Sequence, residues 1–104
     1  PLSLEMSTRA CEIEPTNATY LDTKAWILHR MGRNDEAKPI MMRAISLDKS
    51  GEPTFLLHYA DILAAEGEVF MAEIYYRRAL EAGEDEKLIE LKINQLKQPK
   101  GEDK

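Results

Sequence analysis

Apolar residues fall along this chain at helical spacing, in blocks that repeat. Leu21, Ala25 and Leu28 stand at i, i+4 and i+7, and Leu56, Ala60 and Leu63 repeat the spacing. Each set forms one stripe on a helix of ~3.6 residues per turn. Met41, Ala44 and Ile45, and then Tyr76, Ala79 and Leu80, keep i, i+3, i+4. Gly32 lies between the first stripe and its partner, and Gly67 between the second and its partner. The unit is therefore helix, glycine turn, helix. Ala25, Ala37 and Ala44, with Ala60, Ala72 and Ala79 in the second unit, put small side chains on the facing surfaces. Such residues allow the axes to approach to about 8–10 Å in ridge-into-groove packing.

The copying is explicit. Arg9-Ala10, Arg43-Ala44 and Arg78-Ala79 recur at steps of 34 and 35 residues, and Gly32 to Gly67 is a step of 35. A period of this size marks a helical solenoid, because one hairpin cannot bury its apolar face alone and a stack of them can.

The spacing predicts these helices in order. Residues 3 to 13 read as the second helix of a unit whose first helix is missing. Met6, Ala10, Cys11 and Ile13 follow Ile40, Ala44, Ile45 and Leu47, and Pro15 closes the element. Asn17 is the expected N-cap of a helix running to about Met31. Gly32 to Asp35 should form a turn in which glycine supplies the left-handed backbone. The next helix is expected from about Asp35 to Leu47, with Pro39 near its first turn causing a slight bend and no break. Helices at 53–66, with Pro53 at the first helical position, and at about 69–82 form the second hairpin. A final helix is expected from 85 to about 97. Its stripe of Leu88, Ile89, Ile93 and Leu96 against an otherwise polar surface suits a terminal cap.

Taken together, the pattern resembles the tetratricopeptide repeat family over residues 5 to about 97. The family's successive motif places hold Leu21, Lys24, Ala25, Leu28, Ala37, Met41, Ala44 and Lys49 in the first unit. In the second they hold Leu56, Tyr59, Ala60, Leu63, Ala72, Tyr76, Ala79 and Glu84. Leucine replaces the leading tryptophan, alanine the glycine, and Lys49 or Glu84 the closing proline. The resemblance implies an all-α fold, a right-handed α-α superhelix of about six antiparallel helices. One domain spans residues 1–97, with 3–16 as the trailing helix of a partial repeat, 17–50 and 51–84 as full repeats, and 85–97 as the cap. Residues 98–104, without apolar side chains and with Pro99 and Gly101, read as a disordered tail. The style of Tyr20-Leu21-Asp22-Thr23 and of Gly32 to Ala37 is similar to bacterial repeat proteins, some of them envelope-associated.

In the resembled family the first helices of successive repeats line a concave groove that holds a peptide or a partner helix. Carried over by place, the groove here comprises Asp22, Trp26, His29 and Arg30, with Thr19 and Thr23, and then His58 and Asp61, with Thr54, Leu57 and Ala65. Trp and Arg are residues with which interfaces make large and directional contacts. Trp26 could equally be a ring packed on the adjacent unit. Family members that grip acidic C-terminal tails use Lys, Asn and Arg in places that here hold Asp22, Trp26, Leu57 and Asp61. A carboxylate would meet like charge there, which points to a cationic or mixed peptide.

Composition narrows the alternatives. The net charge is −5, and fourteen Lys and Arg are scattered among nineteen Asp and Glu, which argues against a nucleic-acid surface. An RNA-binding helical repeat would need a basic groove. The apolar runs are only a few residues long, far short of the ~18 that cross a bilayer, so direct membrane insertion is not expected. A start at Pro1-Leu2-Ser3 without methionine reads as a piece of a longer protein. The one cysteine, Cys11, is expected to be a buried thiol. No phosphate loop, dinucleotide fingerprint, H-E-x-x-H, C-x-x-C or G-x-S-x-G is present. His58 and Asp61, three apart, could pair as ligands or as base and orienter, but no third ligand or nucleophile accompanies them. Neither catalytic residue, metal site nor cofactor is expected. The expected role is a non-catalytic interaction module or a scaffold segment, the alternative being a regulatory or targeting domain of a larger enzyme. Weak self-association is expected through residues 2 to 13.

Overall fold

The computed structural model describes residues 3–98. Among them are six helices and no strand: α1 (Leu4–Ile13), α2 (Ala18–Arg30), α3 (Asn34–Leu47), α4 (Pro53–Ala65), α5 (Val69–Glu81) and α6 (Glu86–Leu96). The tail expected to be disordered lies, beyond residue 98, outside the described residues.

Every helix start but two carries a side-chain cap. Ser3 accepts from the Met6 amide, Asn17 from Tyr20, Glu52 from Thr54 and Asp85 from Leu88, each satisfying an amide with no partner inside the helix. At the start of α3 the Arg33 guanidinium instead grips Glu36, at 2.7 Å from both carboxylate oxygens. The helix ends are copies of one another. Gly32 has φ +80° and Gly67 φ +79°. The Arg33 amide reaches back to Leu28 O at 2.9 Å, as Glu68 does to Leu63 O, and the glycine amides donate to His29 O and Ala64 O. This paired closure needs a left-handed residue, which glycine adopts without a Cβ clash.

Pro39 departs from its expected place. It is the sixth residue of α3, past the first turn, so the amide that would bond the Asp35 carbonyl is missing. The helix nevertheless continues to Leu47, because α2 and α4 pack along it.

The core is the copied stripe. Leu21, Ala25, Leu28, Ala37, Met41 and Ala44 are buried, and so are their counterparts Leu56, Ala60, Leu63, Ala72, Tyr76 and Ala79. Ile89 and Ile93 bury the inner side of α6. Each helix packs on the next, and α2 also touches α4, so the first helices of the two hairpins line one side of a body 47 × 30 × 22 Å. The loop between the hairpins is organised by Asp48, which accepts from the Glu52 amide at 2.7 Å and the Ser50 hydroxyl at 2.7 Å. These bonds hold its carboxyl below the usual aspartate range, the Glu52 amide contributing most.

Only one side of α1 is covered. Ser7 is buried and Leu4 and Cys11 pack against the core, while Met6 and Ile13 are exposed. Cys11 is half-buried, short of the burial expected, because α2 covers α1 from a single side. Partial desolvation still raises its thiol pKa.

Candidate functional site

The first helix of each hairpin turns its less apolar side away from its own partner helix, and between α2 and α4 these sides meet. Asp22 on α2 accepts from Nδ1 of His58 on α4 at 2.7 Å, in a pair whose side chains are 13% and 18% exposed. A carboxylate can only accept here, so His58 carries its proton on Nδ1. The His58 imidazole lies flat on the Trp26 indole, centroids 4.0 Å apart and planes 22° apart, a contact of about 0.5–1.5 kcal/mol beyond area burial. His29 flanks the same indole at 4.8 Å. Its Nδ1 lies 2.6 Å from Asn34 Oδ1, joining the end of α2 to the start of α3. Trp26 is thus braced on two sides and half-buried.

Beside this stack opens a cleft of about 480 Å³, lined by Asp22, Thr23, Trp26, Ile27, Arg30, Met31 and His58. Arg30 and Met31 are exposed at its rim. Of the eleven groove residues expected from sequence, Asp22, Thr23, Trp26, Arg30 and His58 therefore share one cleft, and His29 supports it from behind. One face of the Trp26 ring packs on His58 of the adjacent unit, and the indole also lines the cleft.

Asp61 does not join them. It accepts from Tyr76 Oη at 2.5 Å and lies 3.1 Å from Lys92 Nζ, so it ties α4 to α5 and α6. The Tyr76 phenol is pushed far above its ordinary range, first by burial and then by Asp61. The sequence could suggest a His58–Asp61 pair along one helix. Instead each finds a partner on another element, His58 the Asp22 carboxylate on α2 and Asp61 the Tyr76 hydroxyl on α5 and the Lys92 ammonium on α6. The acidic groove expected from Asp22 and Asp61 is correspondingly muted, since one carboxylate is held by His58 and the other by Lys92. Among the described residues no group of three or more His, Cys, Asp and Glu is placed to hold a metal ion.

Sequence reading missed Asn34, Tyr76 and Lys92 as partners, and Ile27 and Met31 as cleft walls. Periodicity alone marks Ile27 and Met31 as core; their place beside Trp26 depends on how α4 lies against α2.

The tetratricopeptide repeat family model matches residues 18–50, the α2–α3 hairpin that carries Trp26. Residues 18–50 thus carry a tetratricopeptide repeat. Repeats of this family are in general protein-interaction and scaffold modules, typically without catalytic activity. No curated protein matches the chain. Among the described residues no helix is long and apolar enough to cross a membrane.

Proposed function

We propose that this chain is a non-catalytic protein-protein interaction module that holds a peptide or helix of a partner protein along α2 and α4, alone or as a scaffold segment of a longer repeat protein. In this reading residues 17–50 and 51–84 are full repeats, 3–16 the trailing helix of a partial repeat and 85–97 a cap. The supporting observation is the braced Trp26. An indole fixed by His58 and His29 and bordering an open cleft loses little side-chain freedom on binding, so its contact area converts to affinity efficiently. Arg30 at the rim is a long, forked cation, and a partner with an apolar residue next to an acidic one suits that cleft best.

Peptides selected from a random library on the wild-type chain provide the test. Trp26→Ala should weaken their binding at least about tenfold, the scale of a hot-spot truncation, in a chain whose helical circular dichroism shows that it is still folded. Selected peptides that bind Trp26→Ala as well as wild type sink the reading.

The bare side of α1 supports a second contact, weak self-association. Met6 and Ile13 are 57% and 71% exposed, whereas Leu4 packs on the core. Met6→Glu with Ile13→Glu is therefore the informative pair, and should turn a concentration-dependent sedimentation coefficient into a constant one. A wild-type chain that sediments as a monomer at the highest concentrations removes the idea.

A further inference from the structure

The helix starts of the two hairpins correspond at a step of 35, and the replacements around their glycine turns differ in kind. Ala64 stands where the first hairpin has His29, Ala65 where it has Arg30, and Val69 where it has Asn34. In the first hairpin that place is filled by the His29 imidazole, tied to Asn34. In the second it holds two methyl groups and an isopropyl group. The neighbouring helix has changed as well. Ile89, Ile93 and Leu96 repeat the spacing of Leu56, Ala60 and Leu63, which puts Lys92 where α4 has the buried ring of Tyr59.

Both losses leave space at one spot. A cleft of about 500 Å³ opens between the turn of the second hairpin and α6, walled by Ala64, Ala65, Val69 and Leu96, with Lys92, Gln95 and Gln98 around it. Its floor is rigid. Buried Tyr76 donates to Asp61 at 2.5 Å, and Asp61 holds the Lys92 ammonium at 3.1 and 3.4 Å from its two oxygens.

We propose that this cleft receives an aromatic side chain with a polar tip, tyrosine foremost, from the partner peptide. It takes the place that His29 fills in the first hairpin. The proposal rests on the groove reading above and adds a second anchor to it. A benzene-sized ring fits an enclosed cavity of about 150 Å³, so a phenol fits here with room for its backbone to leave. The walls that touch the ring body are aliphatic. The exposed Gln95 and Gln98 amides beside these walls can donate to and accept from a phenol hydroxyl, and the Lys92 ammonium, held by Asp61, favours a ring face over an aliphatic chain. A leucine side chain would fill the walls and leave those amides unpartnered.

The test is a titration of the isotope-labelled whole chain, followed by amide and methyl NMR signals, with N-acetyl-tyrosinamide and N-acetyl-leucinamide as probes. Saturable shifts centred on Ala64, Val69 and Leu96, in the millimolar range, are expected for the tyrosine probe, with the leucine probe about tenfold weaker. Ala64→His with Val69→Asn rebuilds the filling of the first hairpin and should abolish the response. Exposed Gln95→Ala leaves the fold alone and should weaken it severalfold, which keeps the test decisive if the double variant misfolds. Equal response to both probes, or an unchanged response in both variants, overturns the proposal. Peptides that still depend on Trp26 but give no response at Ala64 overturn the second anchor and leave the groove reading standing. A response at Ala64 that survives Trp26→Ala supports the cleft even where the groove reading fails.

Discussion

The two hairpins share a skeleton and differ in their inner faces. In the first, helix α2 presents Asp22, Trp26, His29 and Arg30; in the second, α4 has Leu57, Asp61, Ala64 and Ala65 in the same places. The buried stripes, the alanine contacts and the glycine closures are repeated nearly unchanged. Yet the first face gathers aromatic and charged groups around one indole, and the second spends its one carboxylate on joining three helices. Packing is therefore conserved between the copies where two helices touch, and the chemistry changes where a side chain points out of the hairpin.

The sharpest way to break this comparison is in the core. Met41 and Tyr76 occupy the same place and are both buried. Met41→Ala should cost about 2–5 kcal/mol by loss of contacts and the cavity left behind. Tyr76→Ala should cost at least as much, because it also removes a donor from Asp61. Urea denaturation with a two-state fit measures both, and a clearly cheaper Tyr76→Ala would deny Tyr76 its double role.

A smaller effect separates the roles of place from those of chemistry. Asp61→Ala strands the buried Tyr76 hydroxyl and should cost about 1–3 kcal/mol, whereas Tyr76→Phe leaves Asp61 its Lys92 partner and should cost less. The phenol's ionisation is raised above its ordinary 10.0, so the folded chain keeps this proton where the unfolded chain sheds it. Its contribution is complete below that ordinary value and is lost as pH rises above it. Wild-type stability should accordingly fall more steeply above pH 10.0 than that of Tyr76→Phe; parallel curves would mean the phenol is not linked to folding.

The smallest expected effects are at the turns. A Cβ added at Gly32 or Gly67 meets nothing within 4 Å, so alanine there bears only the left-handed backbone penalty, about 1–2 kcal/mol. The two variants should match closely in thermal melts. A marked inequality would show that the turns, alike in geometry, are not alike in what they support.

Much of this was legible beforehand. Helix bounds followed from periodicity, Asn17 and Gly32 announced a cap and a turn, and the alanine positions marked the contacts. The candidate site was only partly legible. Asp22, Trp26, Arg30 and His58 could be grouped by repeat place, but place gives the same standing to Asp61, which the structure assigns elsewhere. Cys11, expected to be buried, is only half-covered for a similar reason, since its helix has a neighbour on one side.

Sequence by itself determined the hairpin and its inner stripe, because helical period, small-residue contacts and glycine closures are local or near-local consequences of residue type. Which polar groups meet was decided only by tertiary structure. The bonds of His58 to Asp22 and of Lys92 to Asp61 join residues more than thirty positions apart. Their 2.7 Å and 3.1 Å separations depend on how far each helix is rotated and shifted against the next, and that is settled by the whole packed interface at once.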